Sequence, residues 1–299
     1  MRKHNNLFPT CTNNNPPCPS LLSHDGRCIY EGERPSLSSG QSYSFTKTDF
    51  ISCETRSNGG AIYLHGGSYQ SSTSLEVSDS SFTKCYANEG AGIYVNTVAS
   101  ITVSFSSFFN CGNSNTERGG GICMWNVNAH EIKQSIFLSL NTSEDAGALF
   151  LDGCTHPFDT ITVKDSCFLL CKCTGKSSSS GGALEAHANS SPKYGNCLFT
   201  LCMADVGGGG IWVIPPCPST VASFSFFHRN KGTDICGHDS TFDGILSNPP
   251  FFHCFSTTTK KRVGQYQFLD DYSNWLPLGT LFYLNIYRRE MNICTLHSP

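Results

Sequence analysis

The sequence predicts an all-β fold, a parallel β-helix of about six to seven coils. The first observation is a block that returns six times, in which Phe-x-x-Cys is paired with a glycine-rich step into an apolar run. Successive Phe residues of this block lie 26 to 32 residues apart, and such periods are typical of repeat architectures. Within each block, short apolar runs alternate with period two, as in strands, and the region shows no convincing helical period.

Each block contains two short strands around the Phe. The Phe-x-x-Cys pairs are, in order, Phe50/Cys53, Phe82/Cys85, Phe108/Cys111, Phe137/Leu140, Phe168/Cys171 and Phe199/Cys202, with a degenerate seventh pair at Phe227/Asn230. Apolar residues recur five and seven positions before most of these Phe residues, as Val77 and Leu75 do before Phe82. Period-two spacing puts these positions on one strand face, so we expect them to form inward ladders.

The glycine step opens the next strand. Its copies are Gly59-Gly60-Ala61, Gly90-Ala91-Gly92, Gly119-Gly120-Gly121, Gly147-Ala148, Gly181-Gly182-Ala183 and Gly208-Gly209-Gly210. Small residues here allow a tight corner and a close approach of backbones. A coil of about 30 residues cannot bury its apolar face alone, so stacking on neighbours about 4.8 Å away completes the core.

A hydroxyl column stands two residues before each Phe. Its members are Thr48, Ser80, Ser106, Ser135 and Ser166, followed by Cys197 and Ser225. Stacked hydroxyls form hydrogen bonds along the axis at a bend. We therefore expect this column to be structural.

Five of the 17 cysteines occupy one column, namely Cys53, Cys85, Cys111, Cys171 and Cys202. The favoured interpretation is a buried ladder of small apolar thiols. Disulfides between coils or across loops are the second interpretation. A zinc site is the third, although Cys171 and Cys173 alone are a weak signal for one.

Composition excludes several classes of function. Charged residues make up 14% of the 299 residues, against about 25% in typical domains. The net charge of −3 provides no basic stripe for nucleic acid. No nucleophilic triad, phosphate loop or metal-binding helix motif is present, so no cofactor, metal or catalytic residue is predicted.

The sequence divides into three parts. Residues 1–40 are rich in Asn, Pro, Ser and Cys and are predicted to be an N-terminal leader or cap. Residues 41–236 contain the repeats, and residues 237–299 are predicted to be a C-terminal cap and poorly ordered tail. The most apolar late stretch, 276–287, is too short to span a bilayer, and no signal peptide is visible. We therefore expect no direct membrane span.

The outward positions of the strand after the glycine step hold the candidate binding residues. These candidates are Tyr63, His65, Tyr94, Trp125, Asp152, Glu185, His187 and Trp212. Aromatic residues in a row stack on sugar rings, or they stack on each other and lie beneath a loop. Asp152 and Glu185, in adjacent coils, are either an acid pair of the kind that glycoside hydrolases need or solvated surface acids.

Two Asn-x-Ser/Thr sequons begin at Asn141 and Asn189, in turns between strands. They are glycosylation candidates if the chain is secreted.

The motifs resemble those of a known family. Gly59-Gly60-Ala61-Ile62-Tyr63 paired with Ser81-Phe82-x-x-Cys85 is similar to the GGAI and FxxN motifs of polymorphic outer membrane protein repeats, with Cys mostly in place of Asn. The closer similarity is to large surface proteins of trichomonad-type protists, over about residues 41–260. The stretch Asp234–Cys236 followed by Cys254–Thr259 resembles the segment that ends the helix in those chains.

The resemblance implies a right-handed, single-stranded helix of the pectin lyase-like type. It also implies a location at the cell surface or outside the cell, and adhesion or contact with a host or glycan ligand. Helices of this type also host polysaccharide lyases and glycoside hydrolases, so a carbohydrate-active enzyme is the alternative. A purely structural or decayed fragment is the third hypothesis.

Overall fold

The computed structural model describes residues 27–67, 72–154, 160–175, 179–188, 193–214, 221–223, 226–228 and 231–237. They belong to the first of two compact units, residues 1–265. All regular secondary structure in the described residues is β-strand, as the sequence predicts. The predicted C-terminal cap and tail, beyond residue 237, lie outside the described residues.

The strands form three parallel sheets. The first sheet contains β2 (Tyr43–Thr46), β5 (Ser74–Ser78), β8 (Ser100–Ser104), β11 (Ala129–Lys133), β15 (Thr160–Lys164), β19 (Lys193–Gly195) and β22 (Val221–Ser223). The second sheet contains β1 (Cys28–Glu31), β3 (Thr48–Ile51), β6 (Ser81–Thr83), β9 (Ser107–Phe109), β12 (Ile136–Leu138), β16 (Cys167–Leu169), β20 (Leu198–Thr200) and β23 (Phe226–His228).

The third sheet holds the strands that follow the glycine step. They are β4 (Ile62–His65), β7 (Ile93–Asn96), β10 (Ile122–Trp125), β14 (Leu149–Cys154), β18 (Leu184–Ala188), β21 (Met203–Ile214) and β24 (Lys231–Gly237). The short strands β13 (Asn141–Thr142) and β17 (Lys172–Cys173) join this sheet through the start of β21.

Neighbouring strands come from successive repeats and pair in register, which confirms the predicted parallel β-solenoid. Phe82, for example, lies opposite Phe50 on one side and Phe108 on the other. Strand β1 falls within the segment predicted as a leader or cap. It pairs with β3, and its Tyr30 stacks on Phe50 with ring centroids 5.2 Å apart.

About five coils are regular, slightly fewer than the six to seven predicted. They begin at β2, β5, β8, β11 and β15. The strands from β19 to β24 continue all three sheets less regularly, because the register between β21 and β24 shifts twice. The right-handed winding stays a prediction from the family resemblance.

The core is built around one stack of aromatic rings. The phenyl rings of six successive repeats lie 4.4 to 4.8 Å apart, within 3–11° of parallel, and all six are fully buried: Phe50, Phe82, Phe108, Phe137, Phe168 and Phe199. Ile, Leu and Val columns of the other two sheets complete the core, as predicted. Burying each such side chain contributes about 1.5–3 kcal/mol.

The hydroxyl column forms the first bend of each coil. The residue before each hydroxyl has a left-handed backbone, with φ of 47–52° at Lys47, Asp79, Phe105, Gln134 and Asp165. The backbone N–H of Thr48, Ser80, Ser106 and Ser135 donates to the hydroxyl oxygen one coil further on, at 3.1–3.3 Å. Each hydroxyl donates to the carbonyl two residues before it. The predicted structural role is thus confirmed.

The cysteine column forms the second bend in the same way. The thiols of Cys85, Cys111, Cys171 and Cys202 donate to the Phe carbonyl of the preceding coil, at 3.4–3.7 Å. These four and Cys53 are fully buried and form no disulfide, which agrees with the favoured interpretation, a buried ladder of thiols. Burial raises the pKa of the Cys171 thiol well above its usual range, so this sulfur stays protonated and is a poor nucleophile or metal ligand.

One column of small residues in the glycine steps lies against the next coil. A Cβ on Gly60, Gly120, Gly147 or Gly182 would lie 2.2–2.5 Å from a carbonyl oxygen of that coil. This confirms the predicted close approach of backbones and explains why these positions are small.

We expect Gly147→Ala to destabilise the fold by about 3 kcal/mol, because the added methyl group overlaps the Gly182 carbonyl oxygen. The control is Gly40→Ala, which has a left-handed backbone but open space around its Cβ; it should cost only about 1–2 kcal/mol. Urea denaturation measures both, and equal losses would contradict the crowding argument.

Candidate functional site

The outward face of the third sheet is covered. Tyr94, Cys123 and Phe150 are buried together with Ala146, and Tyr63 and Trp125 pack against them half-buried. The Tyr63 and Tyr94 rings are stacked, with centroids 5.5 Å apart. Of the two interpretations of this aromatic row, the structure thus shows mutual stacking beneath a cover.

A row of polar residues covers this face. We call it the polar cover and define it as the residues that precede the left-handed residue at the start of the first five glycine steps: Asn58, Glu89, Arg118, Asp145 and Ser180. The last four are joined by parallel β-bridges from one coil to the next. Asn58 joins this row through its side chain, because its amide donates a hydrogen bond to the Glu89 carboxylate at 3.1 Å. The polar cover is therefore a further ladder, lying over the third sheet.

Arg118 is the centre of the polar cover. Its guanidinium donates to Glu89 at 3.0 Å, to Asp145 at 2.9 Å and to Glu144 at 3.3 Å. It also lies over the rings of Trp125 and Phe150, 5.8 and 5.6 Å from their centroids. One cation therefore links three coils and closes the outward face.

The eight predicted binding residues do not share one open surface. Tyr94, Glu185 and Trp212 are buried, and His65 is exposed. Half-buried positions are occupied by Tyr63, Trp125, Asp152 and His187. Their ligand-binding role stays a prediction.

Glu185 forms the most chemically distinctive contact of this face. Its side chain is 1% exposed, accepts a hydrogen bond from the Ser180 hydroxyl at 2.7 Å and lies 2.5 Å from His187 Nε2. Burial raises the pKa of Glu185 above its usual range, although the His187 and Ser180 contacts counteract this. Ser180 donates to the carboxylate, so the arrangement differs from a Ser–His–acid triad, in which the serine contacts the histidine.

Asp152 and Glu185 occupy different columns. Asp152 lies opposite His187 in the pairing of β14 with β18, whereas Glu185 lies opposite Phe150. Asp152 is half-buried and Glu185 is buried. The two acids therefore do not face each other across a groove, as the two carboxylates of a glycoside hydrolase do.

The two sequons differ in placement. Asn141 lies in strand β13 and not in the turn that the sequence predicted; it is half-buried, and its side-chain oxygen is buried without a hydrogen-bond partner. Ser143 of this sequon is also buried and donates to the Thr116 carbonyl. Asn189 lies outside the described residues.

The sequence analysis did not identify the polar cover. Its residues share no side-chain type, so no repeated letter marks the column. The available signal is the alternation of charge at one repeat position, from Glu89 through Arg118 to Asp145.

No family model matches the chain, and neither the curated proteins nor the solved structures contain a match. Within the described residues, no helix is long and apolar enough to cross a membrane. In the same part of the chain, no group of three or more His, Cys, Asp and Glu residues is placed to hold a metal ion.

Arg118→Met should destabilise the fold by about 2 kcal/mol, because it leaves Glu89, Glu144 and Asp145 facing one another without a cation. The control is Lys133→Met, which removes a more exposed ion pair with Glu131 and should cost less than about 1 kcal/mol. Thermal and urea unfolding compare the two. A loss at Arg118 no larger than at Lys133 would contradict its central role.

The imidazole of His187 should titrate above 6.5. Burial lowers the pKa of His187. The hydrogen bond to Glu185 and the charges of Glu185, Asp152 and Asp145 together raise it by more, so the net pKa lies above its usual range. A raised folded-state pKa means that the stability from His187 is fully present below about pH 6.5 and is lost as pH rises through the folded-state pKa. An NMR titration of the ring measures this.

Glu185→Gln is the matched variant, because it removes the charge while retaining the shape of the side chain. The pKa of His187 should then fall, since burial dominates without the carboxylate. A His187 pKa at or below 6.5 in the unmodified chain would contradict the proposed pairing of His187 with Glu185.

Proposed function

We propose that this chain is a non-catalytic β-solenoid, secreted or displayed at a cell surface, that acts by contact with a glycan or host-surface ligand. The observation that carries the proposal is the closed outward face of the third sheet. The side chains that resembled a catalytic or binding row are engaged with one another and with the polar cover. A scaffold of this kind presents loops and sheets for contact.

Surface composition and cysteine chemistry support the location. Charged residues are sparse, and Ser, Thr, Asn and Gly are abundant. Cys28 is disulfide-bonded, and disulfides persist mainly in oxidising compartments. The similarity to protist surface proteins and polymorphic outer membrane protein repeats points the same way.

A carbohydrate-active enzyme is the second candidate, favoured by the contact between Glu185 and His187. The half-exposed imidazole next to a buried carboxylate is an acid–base pair in principle. Its raised pKa makes His187 a weaker candidate for the proton-abstracting base of a lyase, because a base must be unprotonated at working pH. The closed face also leaves little room for a polymer beside Glu185.

Binding of the fluorescently labelled chain to intact cells tests the proposal. We expect saturable binding to at least one member of a panel of epithelial cells, erythrocytes and bacteria, competed by unlabelled chain. The control is the chain carrying Gly147→Ala and Gly182→Ala together, which we expect to unfold because two coils are crowded; it should lose that binding.

A turnover assay on pectins, alginates and glycosaminoglycans separates the two candidates. We expect no product. Turnover that disappears in His187→Gln would establish the enzyme, and absence of both turnover and saturable binding would overturn both candidates.

A further inference from the structure

Loops of three successive coils border a polar cavity that is open to solvent and lies outside the repeated columns. Its volume is ≈ 400 Å³, and it is lined by Ser114, Asn115, Glu117, Ser143, Thr174 and Gly175. We call this cavity the notch. The lining residues follow the cysteine bend, where the repeats differ most in length, so the notch has no counterpart in the repeat pattern.

The floor of the notch is fixed by buried contacts. Thr116 is fully buried, and its hydroxyl donates to the Ala87 carbonyl at 2.8 Å. Ser143 is also buried and bonds to the Thr116 carbonyl through both its N–H and its hydroxyl. The Thr174 N–H donates to the Thr142 carbonyl at 3.0 Å. The three loops are thus held at a set spacing, which reduces the ordering cost of binding.

The rim of the notch carries polar side chains that make no hydrogen bond or ion pair within the described part of the chain. Ser114, Asn115, Glu117 and Thr174 form no side-chain hydrogen bond or ion pair with another described residue. Asn115 is positioned by its own N–H, which donates to Asn113 Oδ1 at 2.7 Å. Arg118, next to Glu117 in sequence, is directed to Glu89, Glu144 and Asp145 instead. The Glu117 carboxylate is therefore free to accept hydrogen bonds from a ligand.

We propose that the notch binds one neutral, hydroxyl-rich sugar unit of a glycan, with Glu117 accepting and Asn115 both donating and accepting hydrogen bonds. Hydroxyl, amide and carboxylate groups match the alternating donors and acceptors of a sugar ring, and the cavity volume lies in the range of small-ligand sites. This inference rests on the proposed contact function and specifies its ligand class and location.

The charges around the notch favour neutral over acidic sugars. Glu117 lies beside Glu144, whose N–H donates to the Glu117 carbonyl. The Glu117 carboxylate would repel sialic acid or sulfate, and Arg118 already serves three other carboxylates. A dedicated metal site is not supported, because Glu117 is the one carboxylate among the described lining residues.

The test uses an array of defined neutral, N-acetylated, sialylated and sulfated oligosaccharides with the full 299-residue chain. Glu117→Ala and Asn115→Ala are the test variants. Glu76→Ala is the matched control, because Glu76 is an exposed glutamate on β5, in the first sheet. Circular dichroism and urea unfolding establish that each variant is folded before binding is compared.

We expect binding to neutral oligosaccharides that weakens about tenfold in each notch variant and is unchanged in Glu76→Ala. Neutral-glycan binding unaffected by either notch variant would overturn the notch while the contact function stands. Binding confined to sialylated or sulfated glycans would likewise overturn it. A chain that stains cells without binding any glycan would overturn the sugar assignment alone, and one that does neither would overturn both proposals.

Discussion

In-register parallel stacking is the constraint on which the rest of this structure depends. Each strand lies about 4.8 Å from its counterpart in the next coil, so every repeat position meets copies of itself on both sides. A column of like charges is destabilised by that proximity, whereas Phe rings, small residues, hydroxyls and thiols all form favourable ladders. The polar cover avoids a column of like charges because acidic and basic residues alternate, with Arg118 between Glu89 and Asp145.

The same constraint limits where function can reside. A residue that recurs in every coil is engaged with its copies, and even the outward aromatic column is closed by Arg118. Groups available to a ligand must therefore come from positions that vary between coils. The loops after the cysteine bend meet that condition, because their lengths differ and their polar side chains face solvent at the notch.

Sequence patterns predict the ladders well, because identical or similar side chains recur at fixed spacing around Phe82 or Ser106. They predict the site poorly for the same reason. Residues of the polar cover share a backbone position and differ in chemistry, so periodicity does not reveal them. The burial of Glu185 depends on Ser180 and His187, whose roles are specific to one coil. Tyr30 joins the ring stack from a segment without the repeat motif.

Native-state thiol labelling followed by peptide mass spectrometry tests the closed outward face most directly. Cys123 occupies the outward column of the third sheet and is fully buried beneath the polar cover. The account predicts that a maleimide leaves Cys123 unlabelled in the folded chain, as it leaves the inward Cys111, and labels both in urea. Rapid labelling of Cys123 in the folded chain, with Cys111 protected, would show an open face and contradict the account.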